Sequence, residues 1–173
     1  MFENIIKNVH NRHPLIHCIT NYVSINDCAN IVLACGGAPI MAEDINEVSQ
    51  ITSICQGLDI NIGMLNDNKL SSMLKAGATA NELGIPVILD PVGAGSSDYR
   101  IKAVQNLMSN VQFGVIRGNV SEIKAIAAKQ GIHNISAGVY DTMQKDKSAM
   151  GVEAGIADKI TDDNIKEMAD FIN

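Results

Sequence analysis

The 173-residue chain is long enough to bury one sizeable core, and its 46% hydrophobic and 18% charged residues are ordinary globular composition. Its net charge of −6 argues against a nucleic-acid or anionic-membrane partner, since both need a basic surface. With 3% aromatic residues, it also lacks the stacking platforms of single-strand binders.

The first predicted strand is Leu15–Thr20, whose apolar run includes His17. A histidine in such a run is predicted to be a satisfied core residue rather than a base or ligand. Thr20 and Asn21 close the strand, where they could bond a ligand or simply turn the chain. Both interpretations remain open at this point.

Ser24 precedes a predicted helix that ends at Gly36–Gly37. Its expected buried stripe consists of Ile25, Cys28, Ala29, Ile31, Val32 and Cys35. The next predicted strand is Ala38–Met41. Met41 at its end can line a small apolar ring pocket, although a methionine there is more often part of the core.

Leu58–Ile62 is the third predicted strand, and a helix capped by Asn66 or Asp67 and ending at Gly84 follows it. The apolar positions of that helix are Leu70, Met73, Leu74, Ala78 and Leu83. The fourth strand, Ile85–Asp90, reads IPVILD. Apolar residues at nearly every position indicate a parallel strand covered on both faces.

The turn from Asp90 to Gly95 follows this strand, and ligands of open α/β sheets bind beyond the carboxyl ends of strands. The Asp90 carboxylate can hold Mg²⁺ there, and the N–H groups of Gly93 and Gly95 can face an anion. A βα turn with a capping Asp is an equally good interpretation of the motif alone.

Ser97 is the predicted cap of a helix, and the fifth strand is Phe113–Arg117. The planar guanidinium of Arg117 suits phosphate groups. Asn119 starts another helix, which runs to Gly131. Glu122 could reach the same metal region as Asp90, but Asn119 with Glu122 also fits a variant of the capping box, and the residues alone favour the cap.

Residues 132–158 have weak periodicity, and Thr161 starts the last predicted helix. The alternation of strands and helices predicts an α/β fold with a mainly parallel sheet, as a single domain over residues 1–173. The sequence has no P-loop, no GxSxG or HExxH motif and no zinc-type His/Cys spacing. Without a signal-peptide region or an apolar run of about 20 residues, we expect a cytoplasmic protein.

Five segments, in this order and spacing, resemble hydroxyethylthiazole kinases. They are Pro14–Val23, Gly36–Asp44, Leu58–Leu65, Gly84–Arg100 and Ile116–Ile126. The resemblance implies a ribokinase-like fold and a homotrimer with substrate pockets at the subunit interfaces. It further implies Mg²⁺-dependent transfer of phosphate from ATP to the hydroxyl of 4-methyl-5-(2-hydroxyethyl)thiazole, a step in thiamine biosynthesis.

The resemblance also assigns roles to individual residues. Met41 matches the methionine that contacts the thiazole, and Asn21 and Val23 fall in the family's substrate loop. Arg117 matches the arginine that binds the ATP phosphates. The carboxylates associated with magnesium match Asp90 and Glu122. If these roles hold, Met41, Asp90 and Arg117 should lie along one rim of the sheet.

The family's Gly-Ala-Gly-Cys turn, which supplies the anion hole and the residue proposed to activate the hydroxyl, has no counterpart after Glu122. We therefore expect that turn to lie beyond residue 173, assign no catalytic residue, and expect little activity from this chain alone. Two alternatives remain. One is a non-catalytic fragment that binds a heterocycle or only assembles with partners, and the other is a ribokinase-like kinase of hydroxymethylpyrimidine.

Overall fold

The computed structural model describes residues 2–129, so the helix predicted from Thr161 and the segment 132–158 lie outside the described residues. The chain divides into two compact units. The first consists of Met1–Asp90 with Leu107–Arg117 and holds the whole sheet. The second consists of Pro91–Asn106 with Gly118–Asn173. The prediction of one domain over residues 1–173 stays a prediction.

Strands and helices alternate through the described residues, as the sequence predicts. The strands are β1 (Leu15–Ile19), β2 (Ala38–Met41), β3 (Gly57–Asn61), β4 (Val87–Asp90) and β5 (Val115–Ile116). The helices are α1 (Phe2–Arg12), α2 (Ile25–Ala34), α3 (Val48–Ser53), α4 (Asp67–Glu82), α5 (Asp98–Asn110) and α6 (Val120–Lys129). None of the helices within residues 2–129 has the length and apolarity to cross a bilayer.

The five strands form one parallel sheet in the order β2-β1-β3-β4-β5, which confirms the predicted α/β fold. Each of the five predicted strands is present within two residues of its expected bounds at each end. The largest difference is at β5, which is shorter by two residues at its start and by one at its end. β4 begins two residues later than predicted, after Ile85 and Pro86. Pro86 has no N–H to donate to a ladder, which limits pairing at this point.

One face of the sheet forms the core of the first unit. Its residues are His17, Ile19, Leu58, Ile60, Val87 and Leu89, each at most 1% exposed. His17 is the core histidine that the sequence predicts, because its Nε2–H donates to the Ala42 carbonyl (2.8 Å) and its Nδ1 pairs with the Thr52 hydroxyl (2.9 Å). Burial lowers the pKa of His17 below its ordinary value, and the hydrogen bond to Ala42 offsets this only in part.

The opposite face carries a row of side chains in register across all five strands. The row consists of Met41, Cys18, Asp59, Ile88 and Val115. Within the described residues Ile88 is 40% and Val115 is 52% exposed. The prediction that β4 is covered on both faces is therefore correct for the core face and wrong, in the described part of the chain, for this one.

Helix α2 begins after Ser24 as predicted, but its expected buried stripe is wrong. None of its residues is buried in the described structure, and Ile31 is 60% exposed. The hydroxyl of Ser24 makes no capping hydrogen bond. The Asn21 side chain accepts the Ser24 N–H instead (3.0 Å). Gly36 ends the helical segment with φ +90°, a backbone conformation that suits glycine.

Helix α4 buries a face that the apolar pattern did not predict. The buried residues are Lys69, Ser72, Met73, Ala76, Gly77 and Ala80, which repeat at helical spacing. Leu83, an expected core position, is 55% exposed. Small residues are needed on this face because Val111 packs closely against the helix. A Cβ on Gly77 would lie 2.5 Å from a methyl of Val111. Asn66 is the cap, accepting the Lys69 N–H (2.9 Å).

In the second unit, Ser97 and Asn119 cap α5 and α6 as predicted. The Ser97 hydroxyl accepts the Arg100 N–H (3.2 Å), and the Asn119 side chain accepts the Glu122 N–H (2.9 Å). A Cβ on Gly95 would lie 3.2 Å from Cβ of Ala125, so a small residue suits this approach of the Asp90–Gly95 turn to α6.

Candidate functional site

The candidate site lies at the carboxyl ends of the strands. The strand order reverses between β1 and β3, so this pair is the topological switch point of the sheet. Ligands of open α/β sheets bind in the crevice outside such a point. Thr20 and Asn21 follow β1 there, and Asn61 and Gly63 lie at the end of β3. The rule that ligands bind at the switch point therefore selects the same region of the sheet as the resemblance, which assigns Asn21 to the substrate loop.

A chain of hydrogen bonds joins four strand ends. Asn21 Nδ2 donates to Asn61 Oδ1 (3.1 Å), and Asn61 Nδ2 donates to Asp90 Oδ2 (3.1 Å). The same Asp90 oxygen forms an ion pair with the Arg117 guanidinium at 3.0 Å. Three of the six predicted site residues are thus connected through Asn61. The sequence analysis did not single out Asn61, although its place at a strand end is the same signal that selected Asp90.

A cavity of about 340 Å³ lies beside this chain within the first unit. Its walls are Thr20, Ser24, Asp27, Cys28, Ile31, Asp59, Asn61, Ile88, Asp90 and Arg117. The Thr20 hydroxyl is buried and has no hydrogen-bond partner among the described residues. The Cys28 thiol lies near it. Three carboxylates face one guanidinium here, so the cavity is acidic overall.

Asp59 is the residue of this cavity that sequence reasoning missed. It sits in the central strand β3 between Cys18 and Ile88, and its side chain has no hydrogen-bond partner among residues 2–129. Burial, and then the nearby Asp90 charge, raise the pKa of Asp59 to about 6, while Arg117 lowers it. The missed signal was a lone charged residue within an otherwise apolar strand.

Asp90 has the oxygen geometry that a magnesium ligand needs. The side chains of Asn61 and Arg117 both contact Oδ2, which leaves Oδ1 without a hydrogen-bond partner in the described part of the chain. Burial raises the pKa of Asp90, and Arg117 and Asn61 offset this in part. A carboxylate oxygen of this kind fits Mg²⁺, which takes few protein ligands and keeps several waters. No cluster of three or more metal-ligating side chains occurs within residues 2–129.

Arg117 presents its guanidinium to solvent, with 78% of the side chain exposed. Only NH1 makes a side-chain hydrogen bond in the described structure, to Asp90, so the remaining N–H donors can meet a ligand. Arg117 is fixed at one end by Asp90 and open at the other. This is the arrangement that binds an anion at a defined position.

Two of the three predicted substrate-binding residues, Met41 and Val23, lie away from this chain of hydrogen bonds. Met41 is half-buried on β2, on the same face as Asp90 but three strands away, which is on the order of 15 Å at the usual strand spacing. Val23 is 87% exposed in the turn after β1. The structure therefore brings Asn21, Asp90 and Arg117 together and places Met41 and Val23 at the margin.

Glu122 belongs to the second unit, where it is 5% exposed and forms the capping box that the residues favour. Its Oε2 accepts the Asn119 N–H (2.9 Å), and its Oε1 accepts the Gly93 N–H (2.8 Å). The Gly93 N–H thus faces an anionic group, as expected, but that group is the Glu122 carboxylate rather than a ligand. Gly93 has φ +66°, which suits glycine. The metal role of Glu122 stays a prediction.

Replacing Glu122 with alanine is expected to destabilise the second unit by about 2–4 kcal/mol, because two backbone N–H groups lose their shared acceptor. Chemical denaturation monitored by circular dichroism measures this loss. Glu122→Gln keeps one carbonyl oxygen and is expected to cost roughly half as much. An unchanged denaturation midpoint for Glu122→Ala would show that the carboxylate is not a structural cap.

Comparison with known proteins identifies the family and the fold. The hydroxyethylthiazole kinase family model matches residues 6–162. The chain is 52% identical over 171 residues to the hydroxyethylthiazole kinase of Clostridium acetobutylicum, covering 99% of this chain and 57% of that protein. It is 58% identical over 124 residues to that of Alkaliphilus metalliredigens, covering 72% of this chain and 46% of that protein.

A solved structure described as hydroxyethylthiazole kinase protein from Pyrococcus horikoshii OT3 matches with a TM-score of 0.72 and 39% identity, over 76% of this chain and 51% of that one. The chain thus spans about half the length of the relatives it matches. The family model covers most of its residues, and the similarity extends to the fold. On this basis the chain belongs to the hydroxyethylthiazole kinase family.

Proposed function

We propose that this chain carries the substrate side and the phosphate-binding side of a kinase that transfers phosphate from ATP to the hydroxyl of 4-methyl-5-(2-hydroxyethyl)thiazole, in thiamine biosynthesis. The observation that carries the proposal is the hydrogen-bonded chain from Asn21 through Asn61 and Asp90 to Arg117 at the switch point of the sheet. Membership of the family supports the choice of reaction.

Arg117 binds the ATP phosphates in this proposal. Asp90 holds the guanidinium at 3.0 Å and so keeps its open donors directed away from the sheet. In-line phosphoryl transfer depends mostly on positioning and on offsetting phosphate charge, which an arginine fixed at one end can do. No catalytic base is assigned to residues 2–129.

Magnesium is the second proposed source of positive charge. Asp90 would hold it through Oδ1, directly or through water. The resemblance also proposes Glu122 as a carboxylate associated with magnesium. When bound, the ion neutralises charge on the ATP phosphates. Asp59 adds an unpaired carboxylate to the same cavity and increases the local demand for a cation.

Met41, Asn21 and Val23 form the proposed thiazole-binding side. Met41 and Arg117 lie on the two opposite edge strands, on the order of 19 Å apart at the usual spacing. We propose, as the resemblance implies, a homotrimer in which adjacent protomers share each substrate pocket; the 87% exposed Val23 is accessible to a neighbouring protomer. We propose the cytoplasm as the compartment, because ATP and a small polar substrate are available there.

Calorimetric titration of the 173-residue chain tests the proposal. We expect separate, saturable binding of the thiazole alcohol and of Mg-ATP, with hydroxymethylpyrimidine binding more weakly than the thiazole. Sedimentation of the same sample reports whether a trimer forms. A folded sample that binds neither compound would contradict the proposal. A preference for the pyrimidine would mean that the proposed substrate is wrong and that the chain belongs to a kinase of hydroxymethylpyrimidine.

A further inference from the structure

A buried lysine joins the segments that carry the proposed thiazole-binding residues. Lys69 lies in the first turn of α4, and only 3% of its side chain is exposed. An ammonium group buried this far is costly unless partners replace its water. Its position is not explained by the phosphate-binding side, because Asn61, Asp90 and Arg117 do not contact it.

Three partners surround the ammonium. Its Nζ donates to the Thr20 carbonyl at 2.5 Å and forms an ion pair with Glu43 Oε2 at 2.8 Å. The same atom lies 4.7 Å from the centre of the Tyr22 ring, within the range of a cation–π interaction. Lys69, Glu43, Tyr22 and the Thr20 carbonyl are called the Lys69 clamp below.

Glu43 closes the clamp. One carboxylate oxygen pairs with Lys69 and the other accepts the hydroxyl of Tyr22. Burial raises the pKa of Glu43, but the hydrogen bonds from Lys69 and Tyr22 outweigh it and hold that pKa below its ordinary value. The hydrogen bond to Glu43 raises the pKa of Tyr22. Glu43 is therefore ionised and Tyr22 neutral at neutral pH, which matches the hydrogen bonds observed.

The clamp joins three segments that are distant along the chain. Tyr22 lies between Asn21 and Val23 in the turn after β1, and Glu43 lies two residues beyond Met41 after β2. Lys69 belongs to α4, a 16-residue helix with a buried face, and so provides a rigid support. The β1–β2 ladder sets the distance between the two strands. The ammonium adds a further connection beyond the strand ends, between the turn that carries Asn21 and the segment that follows Met41.

We propose that Lys69 is a positioning residue for the thiazole-binding side, acting through Tyr22 and Glu43 on the segments that carry Asn21, Val23 and Met41. This inference rests on the proposed function for the identity of the substrate, but the clamp itself is a property of the fold. Hydrogen exchange tests whether the clamp exists, and calorimetry on the same variants tests whether it positions the thiazole-binding residues.

The test compares Lys69→Met with Lys75→Met in the 173-residue chain. Lys75 is a matched control because it also lies on α4 and donates to a backbone carbonyl, that of Ile45 (2.8 Å), but it is exposed and outside the clamp. Hydrogen exchange at the Ser24 amide, which is bonded to Asn21, measures the clamp without any ligand. The Arg117 amide, bonded to Leu89, is the internal reference.

Lys69→Met is expected to speed Ser24 exchange by roughly tenfold or more while leaving the Arg117 amide unchanged. Calorimetry should show at least about tenfold weaker binding of the thiazole alcohol, and Mg-ATP affinity within about twofold of the parent chain. Lys75→Met should change none of these. Tyr22→Phe removes only the hydroxyl, so it should shift the same readouts less and in the same direction, even if Lys69→Met folds poorly.

Each other result overturns a stated part of the inference. Unchanged Ser24 exchange in Lys69→Met and in Tyr22→Phe would refute the clamp. Faster exchange with unchanged thiazole affinity, or equal weakening of thiazole and Mg-ATP binding, would refute the positioning role and leave the proposed function standing. Absence of thiazole binding by the parent chain would refute the proposed substrate and with it the positioning role, while the exchange data would still decide whether the clamp exists.

Discussion

Replacing Arg117 with alanine is expected to weaken Mg-ATP binding by roughly 10- to 100-fold, which corresponds to the 1.5–3 kcal/mol typical of hydrogen bonds to charged groups. The expectation follows from a guanidinium that Asp90 holds at one end and that is 78% exposed at the other. Thiazole affinity should stay within about twofold, because Met41 lies on the opposite edge strand. Isothermal titration calorimetry measures both affinities.

Two further substitutions sharpen this test. Arg117→Lys keeps the charge but loses the planar fork, so its effect on Mg-ATP affinity should lie between those of the parent and of alanine. Arg12→Ala removes the same side chain from the exposed end of α1, which precedes β1, and should leave both affinities unchanged. If Arg117→Ala binds Mg-ATP as tightly as the parent chain, the phosphate-binding assignment is wrong.

Asp59→Asn is expected to stabilise the folded chain at pH 7 by about 1–3 kcal/mol, with the gain disappearing near pH 4. The folded pKa of about 6 exceeds the ordinary value of 3.8, so the folded state holds more protons than the unfolded state between these values. Stability due to Asp59 therefore falls as the pH rises from about 4 to about 6 and stays reduced above it. Asparagine removes the ionisation.

Urea denaturation of Asp59→Asn and the parent chain at pH 4 and pH 7 measures this difference. His17 has the opposite effect, because its lowered pKa costs stability as the pH falls below 6.5, but it contributes equally to both proteins and cancels. Asp27→Asn, at an exposed position that lines the same cavity, is the control for loss of a carboxylate and should change stability less. A loss of stability in Asp59→Asn at pH 7 would mean that the carboxylate has a net favourable partner, of which Arg117 is the candidate.

Much of the fold could be predicted because its signals are local. The run IPVILD marks a parallel strand, and Asn66, Ser97 and Asn119 cap helices through contacts with residues three positions away. Helices α1 and α3 were missed. The six-residue α3 begins after Glu47, whose side chain makes no capping bond, so its start has no sequence signal.

The candidate site was predicted unevenly. Asp90 and Arg117 follow strands of a parallel sheet, so their nearness could be inferred from the rule that strand ends meet at one edge. Asn61 and Asp59 were not singled out, because their importance depends on which strands are neighbours. Lys69 was not singled out either, because nothing near it in the chain indicates that Glu43 and Tyr22 surround its ammonium.

By itself the sequence determined the α/β class, the positions of the five strands and the family, because periodicity, capping and the order of short segments are properties of neighbouring residues. Only the tertiary structure decided that Asn61 links Asn21 to Asp90, that Glu122 accepts the Gly93 N–H, and that Lys69 is buried. These contacts join residues 26 to 49 positions apart. Such pairings follow from strand order and helix packing, which no local pattern encodes.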